Sequence, residues 1–422
     1  MVEPSDQKGE FACNWRLLIA SIAGCGFCIA GLATYSIGPF VKPLVAEMGW
    51  TRAEVQAGTI FSYGFTAFGG IVAAFMIERF GMRRCAIFGL AGTGFGFLLA
   101  SFSTSLFGFY MAFACAAILG STGGFITWSR AISGAFDKRR GLALAIALSG
   151  TGISGSLLPP ILVWVIEGYG WRAGFVALSC VPAFIALPLA LIFFHPVERI
   201  MAKAGASADL PGLTPGEAVR SYRFWVLTIS IISLYLGING IIPNLIPSLT
   251  DDGHSAKHAA WAQSAFAIAL VVGRLGVGYL VDRFWAPAIA AIVLTPPVIG
   301  CIILMSQPSL PMAILASAMV GMAAGAELDL LALLTSRYFG LRNFPRIYSF
   351  LYAAVAGSGS IAPFTFAKIY EWTGSYDVAF TISAVLFAIG GPILLSLGRY
   401  PTFSVPTPIE MDPQRPLAKS SV

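Results

Sequence analysis

Apolar runs of helical length, separated by short polar clusters, follow one another along almost the whole chain. They fall approximately at 15–38, 54–77, 85–103, 107–133, 141–166, 173–194, 224–249, 259–281, 286–306, 310–336, 346–369 and 377–398. Each is close to the ~20 residues that a helix needs to cross the hydrocarbon of a bilayer. None shows the ten-residue alternation of a transmembrane barrel strand. The pattern predicts twelve spanning helices. The one long polar interruption runs from His195-Pro196-Val197-Glu198-Arg199 to Arg223 and lies between the sixth and seventh runs. The expected organisation is a cytoplasmic tail over 1–14, a six-helix bundle over 15–194, a linker over 195–223, a second six-helix bundle over 224–399 and a tail over 400–422.

Composition excludes a water-soluble protein. Of 422 residues, 57% are hydrophobic and 11% charged, against about 25% charged in ordinary soluble domains. Mean hydropathy is +0.80. Too few polar side chains exist to cover a surface in water, so the expected fold class is an all-α polytopic membrane protein. The 46 glycines and 25 prolines suit spanning helices, where small residues let backbones approach and neighbours satisfy freed carbonyls. No cleavable signal peptide is evident, and the run from Trp15 reads as a retained helix.

Lys and Arg are distributed unevenly between the two sides. With both termini in the cytoplasm, nineteen of the 26 face inward, five (Lys42, Arg52, Arg172, Lys257 and Lys368) face outward, and Arg130 and Arg274 lie inside helices. That asymmetry fixes the orientation and accounts for the net charge of +6 without a nucleic-acid partner. The chain also repeats itself. Glu78-Arg79-Phe80 recurs as Asp282-Arg283-Phe284, Phe136 and Arg139 align with Phe339 and Arg342, and Gly170-Trp171-Arg172 aligns with Gly374-Ser375-Tyr376, at offsets of 204, 203 and 204 positions. Two parallel six-helix halves form the repeat plan of rocking secondary transporters, with the substrate site between them near the midplane.

Ionised groups inside a membrane cost ~2.5–3.5 kcal/mol on insertion scales and more in simulations, so they face a cavity or a partner. Arg274 lies eight residues before Asp282, about 12 Å deep at 1.5 Å per residue. Glu327 lies ten before Arg337, about 15 Å deep, and Asp329 is two residues nearer the cytoplasm. Arg130 lies eight before Lys138. Glu327 and Asp329 are roughly 200° apart around a helix, so only one points straight at a central cavity. Arg274 is the expected carboxylate anchor, since guanidinium matches a carboxylate bidentately. A span-10 acid is the expected proton carrier. The alternative is a charge network that closes the cytoplasmic gate. Tyr35, Tyr63, Trp128, Asn239 and Tyr352 are the polar and aromatic residues placed to complete a site, although membrane helices also use such residues for packing.

Other motifs are assigned to structure. Seven cysteines, an odd number mostly in apolar runs, make no disulfide framework, and Cys25-Gly-Phe-Cys28 lies mid-helix rather than at an exposed helix start. Gly150-Thr151-Gly152-Ile153-Ser154-Gly155 has dinucleotide-loop spacing but opens a membrane helix, without the strand such a site requires. His254 and His258 have no further ligand nearby for a metal. No cofactor is expected.

The motifs resemble the major facilitator superfamily over essentially the whole chain. Glu78-Arg79-Phe80-Gly81-Met82-Arg83-Arg84 resembles its loop signature, with Ala74 where the preceding glycine usually stands. Gly278-Tyr279-Leu280-Val281-Asp282-Arg283 is the second copy, with Trp285 at the later glycine. Within the superfamily, Met48-Gly49-Trp50-Thr51-Arg52, Arg139-Arg140-Gly141-Leu142-Ala143-Leu144-Ala145, Tyr169-Gly170-Trp171-Arg172 and Gly273-Arg274 resemble the monocarboxylate transporters and the oxalate/formate antiporters. The resemblance implies that Arg274 binds the substrate carboxylate. Glu78, Arg79, Asp282, Arg283 and Arg337 are the expected gating residues. Departures are specific: the span-1 lysine of animal monocarboxylate transporters falls near Tyr35, their span-8 aspartate at Leu270, and the span-11 cation of oxalate antiporters near Val355. One matched cation suits a monoanion, unless Arg130 supplies a second.

The expectation is a transporter of a small organic monocarboxylate in the bacterial inner membrane, coupled to protons, working by alternating access as a monomer, with both termini cytoplasmic. The lipid bilayer is its other partner, and it is not an enzyme. Rival expectations are a carboxylate exchanger, a drug exporter and a non-transporting sensor. Drug antiporters carry Gly-Pro-x-x-Gly-Gly in span 5, where this chain has Gly155-Ser156-Leu157-Leu158-Pro159-Pro160. No catalytic signature such as H-E-x-x-H or G-x-S-x-G is present, and no signalling domain is appended.

Overall fold

The computed structural model describes residues 9–136, 139–195, 212–281, 283–325, 327–340 and 342–401. In hydrocarbon every backbone amide must find its partner within the chain, and the described residues are accordingly almost all helical. Their one β feature is an isolated antiparallel bridge between Gly212 and Gly340.

The first half begins with α1 (Glu10–Gly26), α2 (Ile29–Ser36) and α3 (Gly38–Met48), followed by α4 (Arg52–Phe80) and α5 (Met82–Ser101). Then come α6 (Leu106–Gly120), α7 (Phe125–Ala135), α8 (Arg140–Leu148), α9 (Gly150–Val181) and α10 (Leu187–Phe193). A short α11 (Pro215–Arg220) precedes the second half, which contains α12 (Tyr222–Asp251), α13 (Ala256–Val281), α14 (Ala286–Val293) and α15 (Thr295–Leu304). It ends with α16 (Leu310–Ala324), α17 (Glu327–Phe339), α18 (Phe344–Thr373) and α19 (Asp377–Leu395).

Among the described residues, eight helical stretches are long and apolar enough to cross a membrane, or nine when α1 and α2, bent by 46°, count as one. The passes expected over 54–77 and 310–336 are α4 and the pair α16 and α17. The stretch Arg140–Phe193 holds two expected passes, because α9 turns at Gly170, whose φ is 82°.

The duplication is visible in the structure. Arg52 and Ala256, Met82 and Ala286, and Leu106 and Leu310 are helix starts 204 positions apart. Gly49 and Gly253 have φ of 69° and 91°, and Gly170 and Gly374 have 82° and 76°, again at that spacing. A left-handed backbone costs an L-residue ~1–2 kcal/mol, which glycine avoids, so the same two turns are each made twice. The spans that begin at Leu106 and Leu310 both break: α6 passes through a 3-10 turn at Ser121–Gly123 before α7, and α16 stops at Ala324 before α17.

The first half packs around two clusters. One is aromatic, with Phe40 stacked on Phe175 at 4.0 Å and Phe109 beside Phe113 at 4.7 Å. The other surrounds Trp128. A single cluster fills the second half. There, α13 and α16 touch backbone to backbone. A Cβ on Gly273 would lie 2.0 Å from the Met322 carbonyl oxygen, one on Gly321 2.1 Å from that of Phe266, and one on Gly325 2.0 Å from that of Leu270. Thr214 and Glu217 form a capping box at α11. The Leu213 amide donates to the Phe339 carbonyl at 2.8 Å and Asn343 Nδ2 donates to the Leu213 carbonyl at 3.0 Å, which ties this segment to the end of α17.

Candidate functional site

The glycine contacts between α13 and α16 place Arg274 against the break in the tenth span. A helix end leaves carbonyls without intrahelical partners, and Arg274 Nε donates to one of them, the Gly325 carbonyl, at 3.2 Å. Arg274 is only 8% exposed. Glu327 opens α17 directly after the break, with Arg274 and Tyr235 as its polar neighbours. Its Oε2 is buried without a hydrogen-bond partner. Glu327 also borders an apolar hollow lined by Leu227, Leu234, Leu294, Leu331 and Leu334.

Residues of the first half complete this surround. Tyr35 has Arg274, Glu327 and Tyr63 as electrostatic neighbours, and its ring packs on the core of the second half. The Tyr63 hydroxyl lies 2.6 Å from Thr34 Oγ1 and donates to Asn239 Oδ1 at 3.3 Å. Thr34 also donates to the Ala30 carbonyl at 2.7 Å. Two hydroxyl protons therefore serve three contacts, and one contact always lacks a proton. Buried Asn239 donates through Nδ2 to the Tyr235 carbonyl at 3.2 Å. Tyr352 lies mid-helix on α18, stacked along Tyr348 with ring centroids 6.1 Å apart. It is 42% exposed and is an electrostatic neighbour of Tyr63 and Tyr235.

The structure thus gathers Arg274, Glu327, Tyr35, Tyr63, Asn239 and Tyr352 from both halves into one region. It places other expected site residues elsewhere. Trp128 is 0% exposed, donates through Nε1 to the Gly123 carbonyl at 2.8 Å and packs 4.6 Å from Phe194. A Cβ on Gly24 would lie 2.1 Å from its ring. It is a core residue of the first half, because only a side chain that large fills the space left by Gly24. Arg130 on α7 is exposed. The side chain of Asp329 and all of Asp282 lie outside the described residues.

Glu78 and Arg79 are exposed at the end of α4. Arg79 lies over Phe80 at 5.6 Å, Arg283 over Tyr279 at 4.2 Å and Arg337 over Tyr400 at 5.8 Å, each a ring of its own half.

A charge cluster joining the halves lies instead at the end of the bundle away from both termini. Arg52 Nη1 and Nη2 reach the two Asp251 oxygens at 2.5 and 3.0 Å, and Lys42 reaches Asp251 at 2.8 Å. The Arg52 guanidinium sits 3.9 Å over the Tyr370 ring and donates to the Tyr376 hydroxyl at 3.2 Å. Next to it, the Ala53 amide at the start of α4 donates to Glu371 Oε1 at 2.9 Å, and Gln56 Nε2 donates to the Pro243 carbonyl at 3.1 Å. The sequence marks Lys42 as an outward charge and Arg52 as an outward charge within a family-like run, and it singles out neither Asp251, Tyr376, Tyr235 nor Thr34 for function. The signal that was available for Asp251 and Tyr376 is the duplication itself, which aligns them with Glu47 and Arg172.

Among the described residues no three His, Cys, Asp or Glu side chains are grouped to hold a metal. None of the seven cysteines, all among the described residues, is joined in a disulfide. Cys28 Sγ donates to the Cys25 carbonyl at 3.3 Å, within the bend between α1 and α2.

Comparison with known proteins bears on this geometry. A family model described as Major Facilitator Superfamily matches residues 23–284 and 227–421. Monocarboxylate transporter 13 of Bos taurus is 25% identical over 378 residues, covering 88% of this chain and 87% of the relative. Monocarboxylate transporter 12 of Xenopus laevis is 24% identical over 312 residues, 68% of this chain and 66% of the relative. Among solved structures, a D-xylose-proton symporter aligns with a TM-score of 0.70 at 15% identity, covering 91% of this chain and 97% of that one. A bacterial homolog of the human lysosomal transporter Spinster, in an inward-facing and unoccupied conformation, aligns with a TM-score of 0.66 at 19% identity, covering 91% and 93%. Both structural likenesses concern the fold alone.

Proposed function

The chain belongs to the major facilitator superfamily, and from that premise we propose that it carries a small organic monocarboxylate across the cytoplasmic membrane by alternating access, together with a proton. The observation that carries the proposal is Arg274, a guanidinium buried mid-span beside Glu327 and Tyr35. Two curated relatives named as monocarboxylate transporters, similar over most of the chain, support the same class of cargo.

Charge balance gives the cycle. In the empty protein the Arg274 cation and the Glu327 anion offset one another, and Nε is held by the Gly325 carbonyl. A carboxylate that enters takes two parallel donors from the guanidinium. Glu327 then has an anion as its neighbour, and taking up a proton removes the repulsion. Cation, substrate anion and neutral acid again sum to zero, so the loaded and empty sites have the same charge. A neutral site can change its exposure from one side of the bilayer to the other without moving charge through hydrocarbon. Tyr63 and Asn239 bond across the halves at this level and are positioned to report occupancy to both. The excess of Lys and Arg at the end bearing the termini supports a cytoplasmic position for that end, and on that reading the Arg52–Asp251 cluster closes the outer side.

The test is counterflow into proteoliposomes with a panel of labelled carboxylic acids. The wild type is expected to exchange at least one monocarboxylate, Arg274→Ala to exchange none, and Glu327→Gln to exchange but not respond to an imposed pH gradient. Undiminished counterflow by a folded Arg274→Ala protein contradicts the assignment of the anchor. An unchanged pH response in Glu327→Gln contradicts its proton role.

A further inference from the structure

We propose that Tyr376 creates the outer gate, because it stands where the first half has an arginine and thereby leaves Asp251 to be neutralised from across the gap. The two halves align at an offset of 204, which makes Asp251 the counterpart of Glu47 and Tyr376 the counterpart of Arg172. In the first half the acid is satisfied at home, by an ion pair between Glu47 and Arg172. In the second half the corresponding position has no cation. The tyrosine hydroxyl donates to Asn244 Oδ1 at 3.3 Å and accepts from Arg52 at 3.2 Å. Asp251 therefore takes both of its cations, Arg52 and Lys42, from the opposite half.

The exchanged pair is also the drier one. Side-chain exposure is 46% and 51% for Arg172 and Glu47, but 14% and 24% for Arg52 and Asp251. Half-exposed pairs contribute little because water screens them, whereas a covered, two-pronged arginine–carboxylate pair is both stronger and directional. The Tyr370 ring 3.9 Å from the Arg52 guanidinium supplies a further cation–π contact. Glu371 holds the same end by accepting from the Ala53 amide, where the positive end of the α4 dipole favours a carboxylate. To open outward, the halves must part between Arg52 and Asp251. Asp251 then has no cationic counterpart of Arg172 in its own half, so the structure assigns this cluster the role of holding the outer side shut until the loaded site is ready to reorient. Replacing Tyr376 with arginine recreates the arrangement of the first half and offers Asp251 a partner that does not bridge the gap.

Hydrogen–deuterium exchange of the full-length protein in lipid nanodiscs tests this without any substrate, so its outcome is independent of whether the cargo is a carboxylate. Tyr376→Arg is expected to speed exchange at residues 52–56 and 370–376 about tenfold, the factor that loss of one hydrogen bond to a charged group gives. Protection of the aromatic core around Phe109 and Phe175 should be unchanged. Tyr376→Phe, which keeps the ring and removes only the hydroxyl, should have a smaller effect. If the folded Tyr376→Arg protein exchanges at the outer end like the wild type, the proposal is overturned. Should that variant not fold, the twin positions decide: Asp251→Asn must loosen the outer ends of α4 and α18 and Glu47→Gln must not. Equal effects, or none, overturn the proposal as well.

Discussion

Arg274 reaches from α13 to the broken tenth span and donates through Nε to the carbonyl of Gly325, 3.2 Å away. The contact exists because α13 and α16 meet without side chains between them, at Gly273, Gly321 and Gly325. The arrangement converts a packing device into a site. Close backbones expose a carbonyl at a helix break, and that carbonyl orients the guanidinium without neutralising it.

Gly325→Ala would place a Cβ 2.0 Å from the Leu270 carbonyl oxygen and 2.6 Å from the Arg274 amide. Backbone cannot yield as a flexible side chain does, so the helices must separate. The expected cost is about 1–3 kcal/mol, together with weaker substrate binding as Arg274 moves. Thermal unfolding in detergent and equilibrium binding measure the two effects, and an unchanged midpoint would rule out the contact as described.

Trp128 and Tyr352 should separate stability from affinity. Trp128→Ala empties a fully enclosed space and should cost about 3–5 kcal/mol, with KM unchanged in whatever protein remains folded. Tyr352→Ala removes a side chain that is 42% exposed and should raise KM with little change in unfolding temperature. The opposite pattern would return Trp128 to the substrate site.

Tyr63→Phe removes the hydroxyl that lies between Thr34 and Asn239. At about 0.5–1.5 kcal/mol for a net hydrogen bond, the expected change in uptake is severalfold, smaller than that of Arg274→Ala. Initial rates of labelled-acid uptake measure it. A loss as complete as that of Arg274→Ala would give Tyr63 a larger role than these contacts imply.

The capping box at α11 gives a pH dependence outside the membrane. The Thr214 amide and hydroxyl hold the Glu217 carboxyl below its usual range. A depressed native value means that the cap contributes in full above the pKa of the unfolded residue, about 4.3, and that the contribution is lost as pH falls through the lower native value. The protection of the 216–220 amides, taken relative to their intrinsic exchange rates at each pH, should therefore fall on acidification in the wild type, while in Glu217→Gln it should stay constant across the same interval.

Much of the architecture was legible because hydrocarbon imposes a strict length and polarity on each pass. The repeat at 204 was legible for a related reason. Gly170 and Gly374 mark a turn that only glycine makes cheaply, so the same residue recurs in both copies. Arg274 and Glu327 stood out because charge in an apolar run is costly. The broken helices did not stand out. Gly325 reads equally as close packing or as a break, and here it is both. Trp128 was misplaced because an indole N–H suits a polar cavity and a buried backbone carbonyl alike. The Arg52–Asp251 contact was hidden by distance, since the two are 199 residues apart and each alone looks like a solvated charge at the end of a pass.

The central claim is that Arg274 binds the carboxylate of the substrate. Equilibrium binding of a transported acid and of its neutral amide, to the wild type and to Arg274→Gln, tests it most directly. The account predicts that the wild type prefers the acid by at least about a hundredfold, as loss of a bidentate charged contact implies, and that Arg274→Gln binds the two alike. A variant that still prefers the acid by the wild-type margin would contradict it.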